Sequence, residues 1–314
     1  MVPTDEYDNI TAIKTINMHP HLFKITTPIK VDHFEELLSE HLNGPAVESV
    51  YFSLHHSFWL HAHTRHKDYP TTWDDLHYPI KSQDERDLEG QMDKEVTAGQ
   101  YSEDLGPDLL LGMYCLPIHT IPKPGMNSLH LINDKSDGEF SLNSMINHDD
   151  IAGTCMDGIK SLGASLHAFC REHGNHLQLV IYMSDIQGAY CNIPMAPLWQ
   201  LKQTLTFDKQ QHVDRCSCFD CQGSYYIYLA FISLVCWIML YVKRILHLKF
   251  HIDDNCSFAL LRDVKYYPKY KCYFSTDQAK LLETWDELGL PHQEKKQIYG
   301  PVIPLLVTKL TPML

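Results

Sequence analysis

Tyr225 to Val242 is a run of eighteen residues without a charge, closed by Lys243 and Arg244, and no other segment restricts the chain so severely. Such a run can cross a bilayer with its basic flank on the cytoplasmic side. It can equally fill the centre of a packed protein, where a helix apolar on every side is expected. The segments on either side bear on the choice. Upstream, Leu177 to Met183 is short, β-rich and bounded by polar residues, which predicts a buried central strand, and it runs into Ser184 and Asp185. Downstream, Leu246 to Ile252 reads as a strand running into Asp253 and Asp254, with a hairpin return expected near Cys256. If the two strands pair in one sheet, the apolar run is the buried helix between them and three carboxylates gather at one rim.

Composition narrows the function classes. With 314 residues and 44% hydrophobic content the chain can bury one large core or two modest ones. A formal net charge of -13 excludes broad, nonspecific attraction to nucleic acid, so any such role must rest on local cations. Those cluster at Lys243, Arg244 and Lys249, at Lys265, Lys269 and Lys271, and at Lys295 with Lys296. Ten cysteines and no secretory signal over Met1 to Met18 fit free thiols in a reducing, intracellular compartment. Cys216, Cys218 and Cys221 have metal-ligand character, but the spacing lacks a nearby second pair and a zinc site is the lesser reading. His55, His56, His61, His63 and His66 lie among Phe58 and Trp59 without a regular ligand spacing, which suits a mixture of surface and core positions.

The first hundred residues name no chemistry. A helix is expected over Val31 to Leu42, capped by Asp32, with Phe34, Leu37, Leu38 and Leu42 on one side. A second, highly charged helix is expected over Glu85 to Val96, with a loop from Tyr69 to Pro79 between them. From Asp108 to Ile146, short extended runs separated by prolines and glycines predict hairpins. Ile151 to Arg171 then reads as a helix burying Ile159, Leu162, Leu166 and Phe169.

Three aspartates within a few ångströms of one another raise each other's pKa, and divalent cations relieve the repulsion. Oxygen-only ligation suits Mg²⁺, which keeps waters and takes its remaining ligands from substrate phosphates. Two such ions can activate an attacking hydroxyl and stabilise a leaving pyrophosphate. Adjacent aspartates alone are weak evidence, since Asp74-Asp75 and Asp149-Asp150 read as solvated turns.

Several local patterns, taken in order, carry a family likeness over roughly residues 107 to 300. Ile121-Pro122-Lys123-Pro124, then Leu131-Ile132-Asn133-Asp134 and Ser141-Leu142-Asn143, precede Asp185-Ile186-Gln187-Gly188-Ala189-Tyr190. Phe219 to Tyr228, His251-Ile252-Asp253-Asp254, Trp285 to Gly289 and Lys295-Lys296 follow. The set resembles the reverse transcriptases of retrotransposons, particularly degenerate fungal copies.

The resemblance implies an α+β right-hand polymerase of fingers and palm, with an antiparallel palm sheet backed by helices. It divides the chain into an N-terminal extension over 1–100, fingers over 101–175, palm over 176–300 and a short tail over 301–314, too short for the regions that grip the primer-template. It implies RNA-directed DNA polymerase activity, with Asp185, Asp253 and Asp254 holding two Mg²⁺ (or Mn²⁺) ions and Lys296, or else its neighbour Lys295, protonating pyrophosphate. Lys123 and His130 would hold the incoming dNTP, Tyr190 would exclude the ribose 2′-hydroxyl, and Phe219, Gly223 and Ser224 would grip template and nucleotide. The implied partners are an RNA or DNA primer-template and dNTPs, with no membrane and with oligomeric state unassigned.

Three residues depart from the pattern. His130 stands where the family places a phosphate-clamping arginine, and imidazole lacks the forked, permanent charge of a guanidinium. Asp220 stands where glycine is usual and would repel phosphate, and Tyr225 adds bulk in place of a small residue or proline. Two further readings therefore stand beside the polymerase: a single-pass membrane protein spanning 225–242, and a nucleic-acid-binding remnant without catalysis.

Overall fold

The computed structural model describes residues 1–65, 68–74, 82–122, 129–151, 153, 157–174 and 176–300. The chain forms two compact units, and each is interrupted: Met1–Thr154 with Gly188–Phe231, and Cys155–Gln187 with Ile232–Leu314.

The first unit begins with three helices, α1 (Ile10–Met18), α2 (Val31–Leu37) and α3 (Gly44–His56). Asn9 and Asn43 cap the first and third, each side-chain oxygen accepting from an N–H three residues on, Ala12 at 3.1 Å and Ala46 at 3.2 Å. The helix expected to reach Leu42 stops at Leu37, and Lys30 rather than Asp32 is its N-cap. Phe34 and Leu38 are buried while Leu42 is fully exposed, because Asn43 and Pro45 start a new helix instead of extending the old one. That helix buries Val47, Val50 and Leu54.

The charged helix is present as α4 (Ser82–Thr97). Leu88 and Met92, one turn apart, meet Ile118, Leu205 and Phe207 in a single apolar cluster. Strands β1 (Trp73–Asp74), β2 (Tyr114–Leu116), β6 (Thr204–Phe207) and β7 (Gln210–Val213) form one sheet in that order. Strands β3 (Ile118–Pro122) and β4 (Leu129–Asn133) form the expected hairpin. A short helix, α6 (Pro197–Gln200), precedes β6.

These compact units follow a different division from the linear one at residues 100 and 175. Arg215, 5% exposed, supplies part of the reason. Its guanidinium donates to the carbonyls of Leu22 (2.8 Å), His21 (2.8 Å), Gly99 (3.2 Å) and Tyr101 (3.1 Å). A buried cation needs that many partners, and they all come from the N-terminal stretch.

In the second unit, strands β5 (Leu179–Ile186), β8 (Lys249–His251), β9 (Asp254–Leu260) and β12 (His292–Gly300) make a sheet ordered β12-β5-β9-β8. Every pairing in it is antiparallel. A second hairpin joins β10 (Val264–Tyr267) to β11 (Cys272–Ser275). Helix α8 (Thr276–Leu288) is capped by the Ser275 hydroxyl and ends at Gly289, whose φ of 78° is the left-handed stop that glycine adopts freely. Its buried Gln278 donates to Met183 O (3.4 Å), Ser184 Oγ (3.2 Å) and Ile298 O (3.4 Å), which ties the helix to β5 and β12.

Helix α5 (Ile159–His173) begins eight residues later than its pattern suggested, behind Gly158 as N-cap. Only Leu162 of its expected apolar face is buried, and Ile159 is exposed. The apolar run forms α7 (Gln222–Trp237), which widens into a π-helical turn over Ile238–Val242. By length and composition it could cross a membrane, yet 56% of its most apolar window is buried within the protein. Phe231, Ile232, Val235 and Ile238 are wholly enclosed.

Candidate active site

The two aspartate-bearing strands pair directly. In the β5/β9 ladder Asp185 lies opposite Asp254, followed inward by Ser184 opposite Asn255 and Met183 opposite Cys256. Antiparallel partners bring opposed side chains to one face, so Asp185 and Asp254 share an edge of the sheet.

The turn that delivers them is tighter than the sequence suggested. His251 pairs with Asp254, leaving only Ile252 and Asp253 in the loop, so the return strand begins at Asp254 and not near Cys256. Two-residue hairpins require positive φ at the first central position, and Ile252 supplies it at 56°. A β-branched residue there carries strain of about 1–3 kcal/mol. Buried Asn255 braces the turn by donating to Asp253 O at 3.1 Å.

Lys296 reaches Asp185 from β12. Its ammonium donates to both carboxylate oxygens, at 2.7 and 2.9 Å. An irregularity in the β12/β5 register between His292 and Gln297 lies next to Lys296. Burial pushes the Asp185 carboxyl above its usual range, and Lys296 pulls it part of the way back. Burial and then the charge of Asp185 raise Asp253. Asp254 is pushed up to about 6 by burial, by Asp253 and by Asp185. The edge therefore holds more negative charge than it can keep ionised at ease. Among the described residues, no three His, Cys, Asp or Glu side chains converge closely enough to hold an ion together. The donors suit a hard cation, with the Lys296 ammonium standing in for one on Asp185, but the ligand set is not preassembled.

The remaining expected site residues belong to the first unit. Tyr190 is buried, its ring packed edge-on against Phe219 at 5.6 Å and tilted against Tyr228 at 5.2 Å. Phe219 itself is largely exposed. Gly223 lies in the first turn of α7, where an added Cβ would meet Leu60 O at 2.7 Å, so the glycine is required by close packing. The Ser224 hydroxyl accepts from Ser217 Oγ at 2.7 Å. Lys123 lies outside the described residues, and of His130 only the backbone is described, in β4 opposite Ile121.

Asp220 is committed to local structure, since its Oδ2 accepts from the Lys135 N–H at 2.7 Å. Asn143 joins the same corner: its Oδ1 accepts the Gln222 N–H at 3.0 Å, capping α7, while its Nδ2 donates to Asp220 O at 2.9 Å. No local pattern announces that cap, because its partner is 79 residues away.

Three lysines of the expected cationic patches are paired within the protein. Lys243 meets Glu287 at 2.5 Å, Lys265 meets Glu283 at 2.6 Å and Lys269 meets Asp286 at 2.6 Å, all on α8. Such partly exposed pairs are weak.

No protein-family model matches the chain, and no curated protein matches it. Solved structures do. The chain is similar to the foamy viral protease-reverse transcriptase dRH in complex with ds DNA, with a TM-score of 0.53 and 15% identity over 90% of this chain and 46% of that one. It is also similar to the foamy viral protease-reverse transcriptase in complex with RNA/DNA hybrid, with a TM-score of 0.52 and 15% identity over 88% of this chain and 34% of that one. The same protein in complex with dsDNA gives a TM-score of 0.51 and 16% identity, covering 88% and 53%. The chain has a reverse-transcriptase-like fold and spans about half or less of the length of these proteins.

Proposed function

We propose that this chain is a reverse-transcriptase-like nucleotidyl transferase of retroelement type, in which the second unit's four-stranded sheet serves as the palm. The observation that carries the reading is the register that sets Asp185 opposite Asp254, with Asp253 at the adjoining turn. Asp185, Asp253 and Asp254 would hold two Mg²⁺ or Mn²⁺ ions, which supply activation of a primer 3′-hydroxyl and neutralisation of the leaving pyrophosphate. The raised carboxyl pKa values support this, because a site that disfavours its own full ionisation gains most from divalent charge.

Lys296 has two tasks in this scheme. It neutralises Asp185 in the structure. Released from that contact, it is placed to protonate pyrophosphate oxygen, the role the family likeness gives it. Tyr190 would select deoxyribose by bulk, Lys123 and His130 would meet the triphosphate, and Phe219, Gly223 and Ser224 would line the template side. The nucleic acids held by the structurally similar proteins make an RNA or DNA primer-template the expected partner. An intracellular site of action goes with this reading.

A second reading is favoured by one observation: the described residues offer no preassembled three-ligand ion site. On that reading the chain binds nucleic acid without extending it. Primer extension on an RNA template with Mg²⁺ or Mn²⁺, comparing the chain with Asp253→Asn, separates the two. Extension lost in the variant supports the polymerase. Binding without extension by either protein supports the second reading and sinks the first.

A further inference from the structure

Strand β12 reaches the carboxylate edge through a bulge, and a buried polar cluster anchors the start of it. Ile186 pairs with His292 and Ser184 with Gln297, so Gln293, Glu294, Lys295 and Lys296 all stand against the single residue Asp185. Surplus residues of this kind re-aim side chains. The last of them, Lys296, meets Asp185, while Glu294 and Lys295 are exposed. Gln297 closes the base of the bulge, its Nε2 donating to Gln293 O at 2.9 Å. Two adjacent lysines therefore have different surroundings, and a slip of one residue would put Lys295 where Lys296 stands.

His292 marks where the bulge begins. Its side chain is wholly enclosed and both ring nitrogens are engaged. Tyr270, in the turn between β10 and β11, brings its hydroxyl to Nδ1 at 2.6 Å, and Asp286 of α8 brings a carboxylate oxygen to Nε2 at 3.1 Å. The same carboxylate accepts from the Lys269 ammonium at 2.6 Å and from the Tyr267 hydroxyl. Lys269 Nζ also lies 3.3 Å from Nε2. Burial, and then that ammonium, hold the imidazole below its ordinary range against the pull of Asp286. A neutral ring fits the cluster with Nε2–H donating to Asp286 and Nδ1 accepting from Tyr270. Backbone ladder bonds are blind to sequence, so they do not choose which residue of β12 stands opposite Ile186. The buried side chain does. Of its neighbours, Pro291 carries no polar side-chain group, and the donor and acceptor of Gln293 share one flexible amide.

We propose that His292 is the positioning residue for Lys296: the cluster it forms with Tyr270 and Asp286 fixes the start of the bulge and so puts Lys296, rather than Lys295, on Asp185. The hairpin turn and the end of α8 thereby become supports of the site, although neither reaches the carboxylates. This role rests on the reading of Lys296 as the cation of the proposed active site, and it holds whether or not the chain extends a primer.

The test is trace acylation of the full chain by acetic anhydride at one pH, with Lys295 and Lys296 separated by fragment-ion mass spectrometry. Lys296, held by Asp185, is expected to react more slowly than Lys295. His292→Leu fills the place of the ring without its hydrogen-bonding groups, and is expected to raise the Lys296 to Lys295 ratio by roughly two- to fivefold, the free energy of a partly exposed ion pair expressed as a ratio. His292→Gln, whose amide can reach Asp286, is expected to bring the ratio back toward that of the unmodified chain. Tyr270→Phe removes one hydroxyl from the cluster and keeps the ring, and it is expected to move the ratio in the same direction as His292→Leu, which keeps the test open if the leucine variant does not fold. An unchanged ratio in the folded variants would overturn the assignment. So would an equal rise with leucine and with glutamine, which a general loss of packing would give. Primer extension, present or absent, bears on the proposed function and leaves this result as it stands.

Discussion

Lys296 Nζ sits 2.7 and 2.9 Å from the two carboxylate oxygens of Asp185, so the strand that ends the sheet neutralises an aspartate on its central strand. Asp185 is only 15% exposed in its side chain while Lys296 is 41% exposed, which makes the pair intermediate between a surface and an interior one. Lys296→Met is expected to cost about 1–2 kcal/mol in urea unfolding, chiefly by leaving the carboxylate without its partner. Asp185→Asn in the same chain should recover most of that loss, since the neutral amide needs no counter-ion. Additive losses in the double variant would mean that the contact contributes nothing.

Asp254 gives the site a pH signature. Its folded-state carboxyl is pushed up to about 6, above the value of about 3.9 expected unfolded. The folded chain therefore holds this proton longer, and the resulting stability is full below about 4 and lost as pH rises through about 6. Between those limits the melting temperature of the wild-type chain should fall more steeply than that of Asp254→Asn. Above pH 6, Mg²⁺ should raise the wild-type melting temperature and leave the variant nearly unmoved. Superimposable profiles with and without the substitution would remove the electrostatic case for the site.

Gly223 is fixed by geometry rather than by chemistry. An alanine Cβ would lie 2.7 Å from the Leu60 carbonyl oxygen and 3.0 Å from Leu60 Cβ, so either α7 or the Leu60 backbone must move. Gly223→Ala is expected to destabilise by about 1–3 kcal/mol, the range for forcing extra volume into a packed region. Thermal unfolding of the first unit's helices reads it directly, and an unchanged melting temperature would show that the contact gives way freely.

Ile252 offers a controlled measure of turn strain. Ile252→Gly and Ile252→Ala remove the same apolar contacts, but only glycine adopts φ near 56° without penalty. The glycine variant should be more stable than the alanine variant by about 1 kcal/mol. Equal stabilities would mean that the turn relaxes once the branched side chain is gone.

The sheet was largely legible in the sequence because its signals are local. Leu177 to Met183 and Leu246 to Ile252 read as strands leading into aspartates, the structure places strands at Leu179–Ile186 and Lys249–His251, and the ladder joins Asp185 to Asp254. The tight turn was not legible, because nothing in Ile252 advertises a positive φ. Helix α3 was missed, since Gly44 and Pro45 break a helix in its interior and are tolerated only in its first turn. The compact units were not legible either. Within the first unit Arg215 is tied to carbonyls as far as 194 residues away, and no local pattern reports such a bond. Of the candidate binding residues, Gly223 carries a packing constraint that only the Leu60 contact reveals. Lys135, wholly buried, is a lysine no composition rule would place inside.

The order of strands sets the order in which the chain can finish itself. Strand β5 is the interior strand of its sheet, yet both of its neighbours are made later, and Lys296 emerges 111 residues after the aspartate it neutralises. During synthesis the Leu179–Ile186 segment must wait with two open hydrogen-bonding edges and a charged tip that has neither partner nor opposite strand. A fragment ending before Asp254 would keep that segment waiting indefinitely, inviting it to pair with another copy of itself.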